Sequence, residues 1–212
     1  MVGVFMSTET PFSQSQESTS SSTETVGNYV VCIIDLLAQK SKLKSWSKLP
    51  KDGQLSPTFI SGMKETIGSV LFFHESFKKF FELSRAPTSF DLINKALMTL
   101  KDQELYQRQK DFPLGVEQFS DTFVFYAPLG NTDGELLVRP LYAILASCCM
   151  AMQVSLAAKV PLRGGIHIAT GVKIPELSFY GPALAVAHQL ESEVAQYPRI
   201  VASEAVVEFV RH

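Results

Sequence analysis

Apolar positions along the chain fall into runs of different period, and each period predicts an element. "YVVCIIDLL" (29–37) is almost continuously apolar and rich in β-branched residues, the mark of a central strand covered on both faces. Over residues 57–84, Phe59, Met63, Ile67, Val70, Leu71, Phe77 and Phe81 recur at helical spacing and predict a long helix. "SFDLINKALMTLKDQEL" (89–105) predicts another, with Ser89 as its cap before Asp91. "EQFSDTFVFYAP" (117–128) holds the turn and second arm of a hairpin that starts near Phe112. Ser120 and Asp121 interrupt it, where strands usually avoid a carboxylate. A loop with Asn131, Asp133 and Gly134 leads to "LYAILASCCMAMQVSLAA" (141–158), in which Leu141, Leu145, Cys149, Met152 and Leu156 form a helical stripe. "LRGGIHIATGV" (162–172) reads as a strand broken by glycines. "SFYGPALAVAHQLESEVAQY" (178–197) turns at Gly181-Pro182, and Pro182 suits a first helical turn. "RIVASEAV" (199–206) reads as a last strand running into a short helix. The simplest architecture is α+β, a sheet covered by helices on one face.

Composition narrows the class. The 212 residues are 46% hydrophobic and 19% charged, enough for one substantial core. A net charge of −2 gives no electrostatic footprint for nucleic acid or anionic lipid. From Ser7 to Thr25 nearly every residue is Ser, Thr, Glu or Gln, which predicts a disordered tail over 1–27 and a folded domain over 28–212. No basic region precedes the short "MVGVF", so the start does not read as a signal peptide. The eighteen-residue run 141–158 is barely long enough to cross a bilayer and is diluted by Gln153, alanines and serines, so a core helix is the better reading. Cys32, Cys148 and Cys149 are too few and badly spaced for a disulfide framework or a zinc site, and read as reduced, buried residues of a cytoplasmic protein.

Candidate chemistry centres on two acids. Asp35 closes the first apolar strand and Asp121 interrupts the hairpin. Brought together on adjacent central strands, they form an oxygen-rich site for Mg²⁺ or Mn²⁺. Taken singly, each is better read as capping a loop or pairing with a lysine. Other residues have plain structural readings. His167 is a hydrogen-bonded core histidine and His188 a helix-face residue, while Gly164 and Gly165 suit a phosphate cradle and close backbone packing equally well. Phe72, Phe73, Phe77, Phe80 and Phe81 are core or dimer surface. "KSKLKSWSK" (40–48) is a solvated basic loop in which Lys40 and Lys42 are the best candidates for triphosphate contacts.

Taken together, "VVCIIDLLAQKS", "QFSDTFVF", "LRGGIHIATG" and "FYGPALAVAHQLE" resemble the class III nucleotidyl cyclase catalytic domain in order and spacing. With "YPRIV" (197–201), they resemble most the pyrimidine cyclases of anti-phage Pycsar systems, over roughly Tyr29 to Ser203. The resemblance implies a ferredoxin-like palm with a mainly antiparallel sheet, and conversion of UTP or CTP to a 3′,5′-cyclic monophosphate and pyrophosphate. The product would activate a separate effector, with no nucleic acid or membrane partner. It further implies a head-to-tail homodimer in which one chain supplies the metal carboxylates and the other the base contacts. Asp35 and Asp121 match the metal aspartates, and the Leu36 carbonyl the backbone ligand between them. Arg163, Gly165 and His167 match the strand motif. The base-reading positions fall on Glu117 and Ser178, neither a purine-cyclase residue, which points to a pyrimidine. Three departures stand out. The family's Asn falls on Ala185, its transition-state Arg on Gln189, and its Gly-Phe after the first Asp on Ala38-Gln39. Arg199 is the nearest cation to replace that Arg, or else a structural residue at a strand start. Loss of Asn and Arg favours a second reading, a catalytically silent nucleotide-binding regulatory module, and both aspartates oppose it. A palm polymerase or diguanylate-type enzyme lacks its "GG-D/E-E-F" stretch.

Overall fold

A computed structural model of the chain describes residues 25–45, 47, 55–86, 98–110, 112–130, 136–175 and 178–211. The predicted tail up to residue 24, the Ser89 cap and the loop with Asn131, Asp133 and Gly134 lie outside the described residues. Strand β1 (Thr25–Leu36) starts three residues before the predicted domain boundary at 28. It is followed by α1 (Gln39–Ser45), α2 (Pro57–Arg85), α3 (Leu100–Arg108), β2 (Gly115–Phe119) and β3 (Thr122–Pro128). Then come α4 (Arg139–Ala157), β4 (Leu162–Lys173), β5 (Phe179–Tyr180) and α5 (Pro182–Gln189), which runs on as a π-helical turn, Leu190–Val194. β6 (Ile200–Ala202) and α6 (Glu204–Arg211) complete the order.

The sheet is mixed, in the order β2-β3-β1-β4-β5, with β6 beside β4. All described pairings are antiparallel except β4 with β6. Two helical crossovers, one from β1 to β2 and one from β3 to β4, each leave a central strand between the strands they connect. The result is an α+β domain with an interleaved β-α-β-β-α-β core.

Alternation along β1 explains why it sits at the centre. Val30, Cys32, Ile34 and Leu36 face a core built with Phe73, Phe77 and Phe81 of α2 and Leu141, Ile144 and Cys148 of α4. Each fully buried phenylalanine contributes roughly 2–3 kcal/mol of apolar transfer. Tyr29, Val31 and Ile33 face a smaller core with Phe179, Ala183 and Ala187. Helices therefore cover both faces rather than one, because α5 packs back on the side opposite α2 and α4. α2 begins where Ser56 accepts the Phe59 N–H at 3.2 Å, with Pro57 in the first turn.

Several expectations need correcting. The buried stripe of α4 is Leu141, Ile144, Cys148, Ala151 and Ser155, whereas Cys149 and Leu156 are exposed. That helix is apolar nearly all round, so periodicity alone misplaces its inner face by one residue. Arg139–Ala157 is long and apolar enough to span a membrane, yet its inner stripe is part of the core. β4 is one continuous strand, since its glycines admit close neighbours without breaking the ladder. The basic run after Ala38 opens as helix α1, and Lys42 pairs with Glu65 of α2 at 2.7 Å.

Candidate functional site

The antiparallel register brings Asp35 and Asp121 to one place. Asp35 lies opposite Thr122, so the β2–β3 turn, Ser120-Asp121, hangs at the end of β1. The Leu36 N–H donates to the Asp121 carbonyl at 3.1 Å and locks the turn there. Ser120 has φ +59, the sign that a two-residue hairpin turn requires at its first central position. The acid that looked misplaced in a strand is a turn residue.

Asp35 has partners on both flanking strands. The Thr122 hydroxyl donates to its Oδ1 at 3.2 Å, and the Arg163 guanidinium of β4 approaches its Oδ2 at 3.4 Å. Burial, then the neighbouring Asp121 charge, pushes the Asp35 carboxyl above its usual range, while Thr122 and Arg163 pull it back. Two carboxylates that repel each other at a partly buried strand end are a donor set that a hard divalent cation fits. Among the described residues no group of three or more His, Cys, Asp or Glu side chains gathers as a metal cage, so the protein would supply a pair of acids. Leu36, the expected backbone ligand, lies beside both, with its side chain in the core.

A fourth charge completes this end of the sheet. Glu191, on the π turn after α5, places Oε1 2.6 Å from the Arg163 Nε, a close charge contact rather than an aligned hydrogen bond. Gly165 lets the turn come this near: a Cβ there would lie 2.2 Å from the Ala187 carbonyl and 2.8 Å from the Glu191 nitrogen. Burial raises the Glu191 carboxyl and Arg163 opposes the shift. The sequence carried a signal for Glu191: it stands one helical turn beyond buried Ala183 and Ala187, an acid on an otherwise apolar stripe.

One expected base-reading position, Glu117, meets the backbone beside the other. Glu117 of β2 accepts the Phe179 N–H, one residue beyond the exposed Ser178, and Glu117 and Phe179 lie on the sheet face of Asp35 and Arg163. Phe179 stacks on Tyr126 at 4.5 Å, and burial with the Glu117 carboxylate pushes the Tyr126 hydroxyl up to about 12. Arg199 lies elsewhere. Its carbonyl accepts from Gly164, beside Arg163, but its guanidinium donates to the Val194 carbonyl and covers the Tyr197 ring. Ala185 and Gln189 are exposed on α5, and Gln189 donates to Glu193 at 3.0 Å. The Lys40 side chain lies outside the described residues. His167 meets the Ser203 hydroxyl at 2.8 Å, the hydrogen-bonded histidine expected of that strand.

The loop after Asp35 carries one more feature. Ala38 has φ +66, a backbone conformation natural to glycine. Behind it Gln39 is buried, with Oε1 unpartnered among the described residues, beside a cavity of ≈300 Å³ that Asp121, Thr66 and Val70 also line. A second cavity of ≈500 Å³ sits at the far end of β1, among Thr25, Tyr29, Tyr126 and Lys173, away from the paired acids. No family model matches this chain, and no curated protein does.

Proposed function

We propose that the chain is a metal-dependent nucleotidyl cyclase on a ferredoxin-like palm, using UTP, or failing that CTP, as the sequence resemblance implies. The observation that carries the reading is the meeting of Asp35 and Asp121 at adjacent ends of β1 and the β2–β3 hairpin. The interleaved sheet agrees with such a palm. So does Ala38, which holds the glycine-like conformation at the position where the family has Gly.

Asp35, Asp121 and the Leu36 carbonyl would hold Mg²⁺ or Mn²⁺. When bound, such an ion supplies Lewis acidity toward the attacking ribose 3′-hydroxyl and the triphosphate oxygens. Arg163 is in contact with Asp35, so we assign to it, rather than Arg199, the neutralisation of phosphate charge. The ribose 3′-hydroxyl gives up its proton to solvent, its oxygen attacks the α-phosphorus, the bond to the β-phosphate oxygen breaks with pyrophosphate leaving, and a 3′,5′-cyclic monophosphate forms. The Glu117 carboxylate would accept the N3–H of uracil, and the Ser178 hydroxyl would donate or accept at its O2 edge. In a head-to-tail homodimer, Glu117 and Ser178 of one protomer serve the acids of the other. The cyclic product would act on a separate effector in the cytoplasm, as anti-phage signalling requires.

One observation favours a second reading, a catalytically silent nucleotide-binding module: α5 presents Ala185 and Gln189 where the family has Asn and Arg. Incubating the purified chain with each labelled nucleoside triphosphate and Mn²⁺ separates the two. Cyclic UMP or cyclic CMP as main product supports the cyclase. A dominant purine product removes the pyrimidine assignment, and binding without turnover selects the silent module.

A further inference from the structure

We infer that Glu191 is a positioning residue that sets how tightly the Asp35–Asp121 pair holds a divalent cation, and that it acts by drawing Arg163 off Asp35. The inference rests on the metal-site reading above and adds to it a residue that no motif assigned. Arg163 is shared unequally. Its Nε lies 2.6 Å from Glu191, while its terminal nitrogen is 3.4 Å from Asp35. Glu191 is the more enclosed acid, with a side chain 5% exposed against 22% for Asp35, so its attraction for the guanidinium is the less screened.

The backbone is built around this contact. The chain widens from an α-helix to a π turn at Leu190–Val194, where Glu191 sits, and β4 has Gly165 where any side chain would push the turn away. A guanidinium engaged fully by Asp35 would compete with a metal for the same oxygens. Held by Glu191, it leaves Asp35 in a looser contact. In formal charge, Asp35, Asp121 and Glu191 against Arg163 leave a net of two negative charges, the complement of a divalent ion.

Direct Mn²⁺ titration of the full chain by calorimetry, without nucleotide, tests the inference. Glu191→Gln should weaken Mn²⁺ affinity about tenfold or more, the scale on which outer-shell partners tune metal sites. In an Arg163→Gln background the same substitution should change little, because the competitor is gone. A loss of equal size in both backgrounds would show a through-space charge effect and overturn the inference. Glu191→Asp gives a second arm that leaves Arg163 in place, should Arg163→Gln fail to fold. It keeps the charge but shortens the reach, so positioning requires weakened binding, whereas wild-type affinity overturns it. Asp121→Asn checks the underlying site. If wild type binds Mn²⁺ and Asp121→Asn does not, the site stands and the Glu191 variants decide; if wild type does not bind, both readings fall.

Discussion

Ala38 and Ser120 carry side chains at φ +66 and +59, both next to the candidate site. An L-residue there costs roughly 1–2 kcal/mol, partly offset by the greater unfolded-state freedom of glycine. Ala38→Gly should therefore stabilise the fold by about 0.5–1 kcal/mol, seen as a higher urea midpoint at unchanged slope. An unchanged or lower midpoint would remove the left-handed assignment. This strain was not legible from alanine, which has no preference for that region; only the glycine of the resembling family pointed to it. Asp121→Asn should change stability by no more than about 0.5 kcal/mol, because the turn is locked through the Asp121 backbone carbonyl, yet abolish Mn²⁺ binding. Retained binding would return Asp121 to a local structural role. His167 gives a pH test. Burial holds its imidazole below the ordinary 6.5, so the unfolded chain takes up that proton first as pH falls. Its contribution to stability is present above about pH 6.5 and lost toward the lower folded value. His167→Asn should flatten the fall in melting temperature between about pH 7.5 and 5.5; an equally steep fall in the variant would exclude His167 as its source.

Elements were legible where one residue type decides them. Pro57 after Ser56, and Pro182 after Gly181 at φ +133, each start a helix, as proline in a first turn should. The inner face of α4 was not legible, because cysteines, alanines and methionines surround it on all sides. Nor was the π turn, since the register change at Leu190 comes from packing against β4 and no residue type announces it. That packing has a sharp test. In Gly165→Ala the new methyl meets the Ala187 carbonyl, a backbone atom that cannot rotate away. The turn must move, at a cost of about 2–3 kcal/mol. Displacement of Glu191 should lower Mn²⁺ affinity in the same variant. A stable Gly165→Ala protein with wild-type metal binding would show that α5 and its π turn stand farther from β4 than described.

At the scale of the whole molecule, the α+β class followed from periodicity, but the parallel pairing of β6 with β4 did not, and the nearness of Asp35 and Asp121 was suggested only once the two interrupted apolar runs were taken together. Coverage of the second face did not follow, because the aromatic residues of α2 could fill a core or a dimer surface. Phe73, Phe77 and Phe81 are core, whereas Ile67, Leu71 and Phe72 of the same helix are exposed and leave it an apolar face for association. Tyr180 at 70% and Tyr197 at 64% exposure, on either side of α5 and its π turn, add exposed aromatic surface. Sedimentation at micromolar concentration should give twice the 23.4 kDa chain mass, and a strict monomer with cyclase activity would contradict a site shared between chains. Mixing makes the sharper test. Under the proposed function Asp121→Asn would remove a metal acid and Glu117→Ala a base contact, so each homodimer should be inactive. In the mixed dimer, the acids of the Glu117→Ala chain face the base contacts of the Asp121→Asn chain, and one of its two sites is whole. With free exchange half of the dimers are mixed, so activity should return to about a quarter of wild type. Recovery of that size requires two chains at each site; none, from two variants that exchange subunits, would confine each site to a single chain.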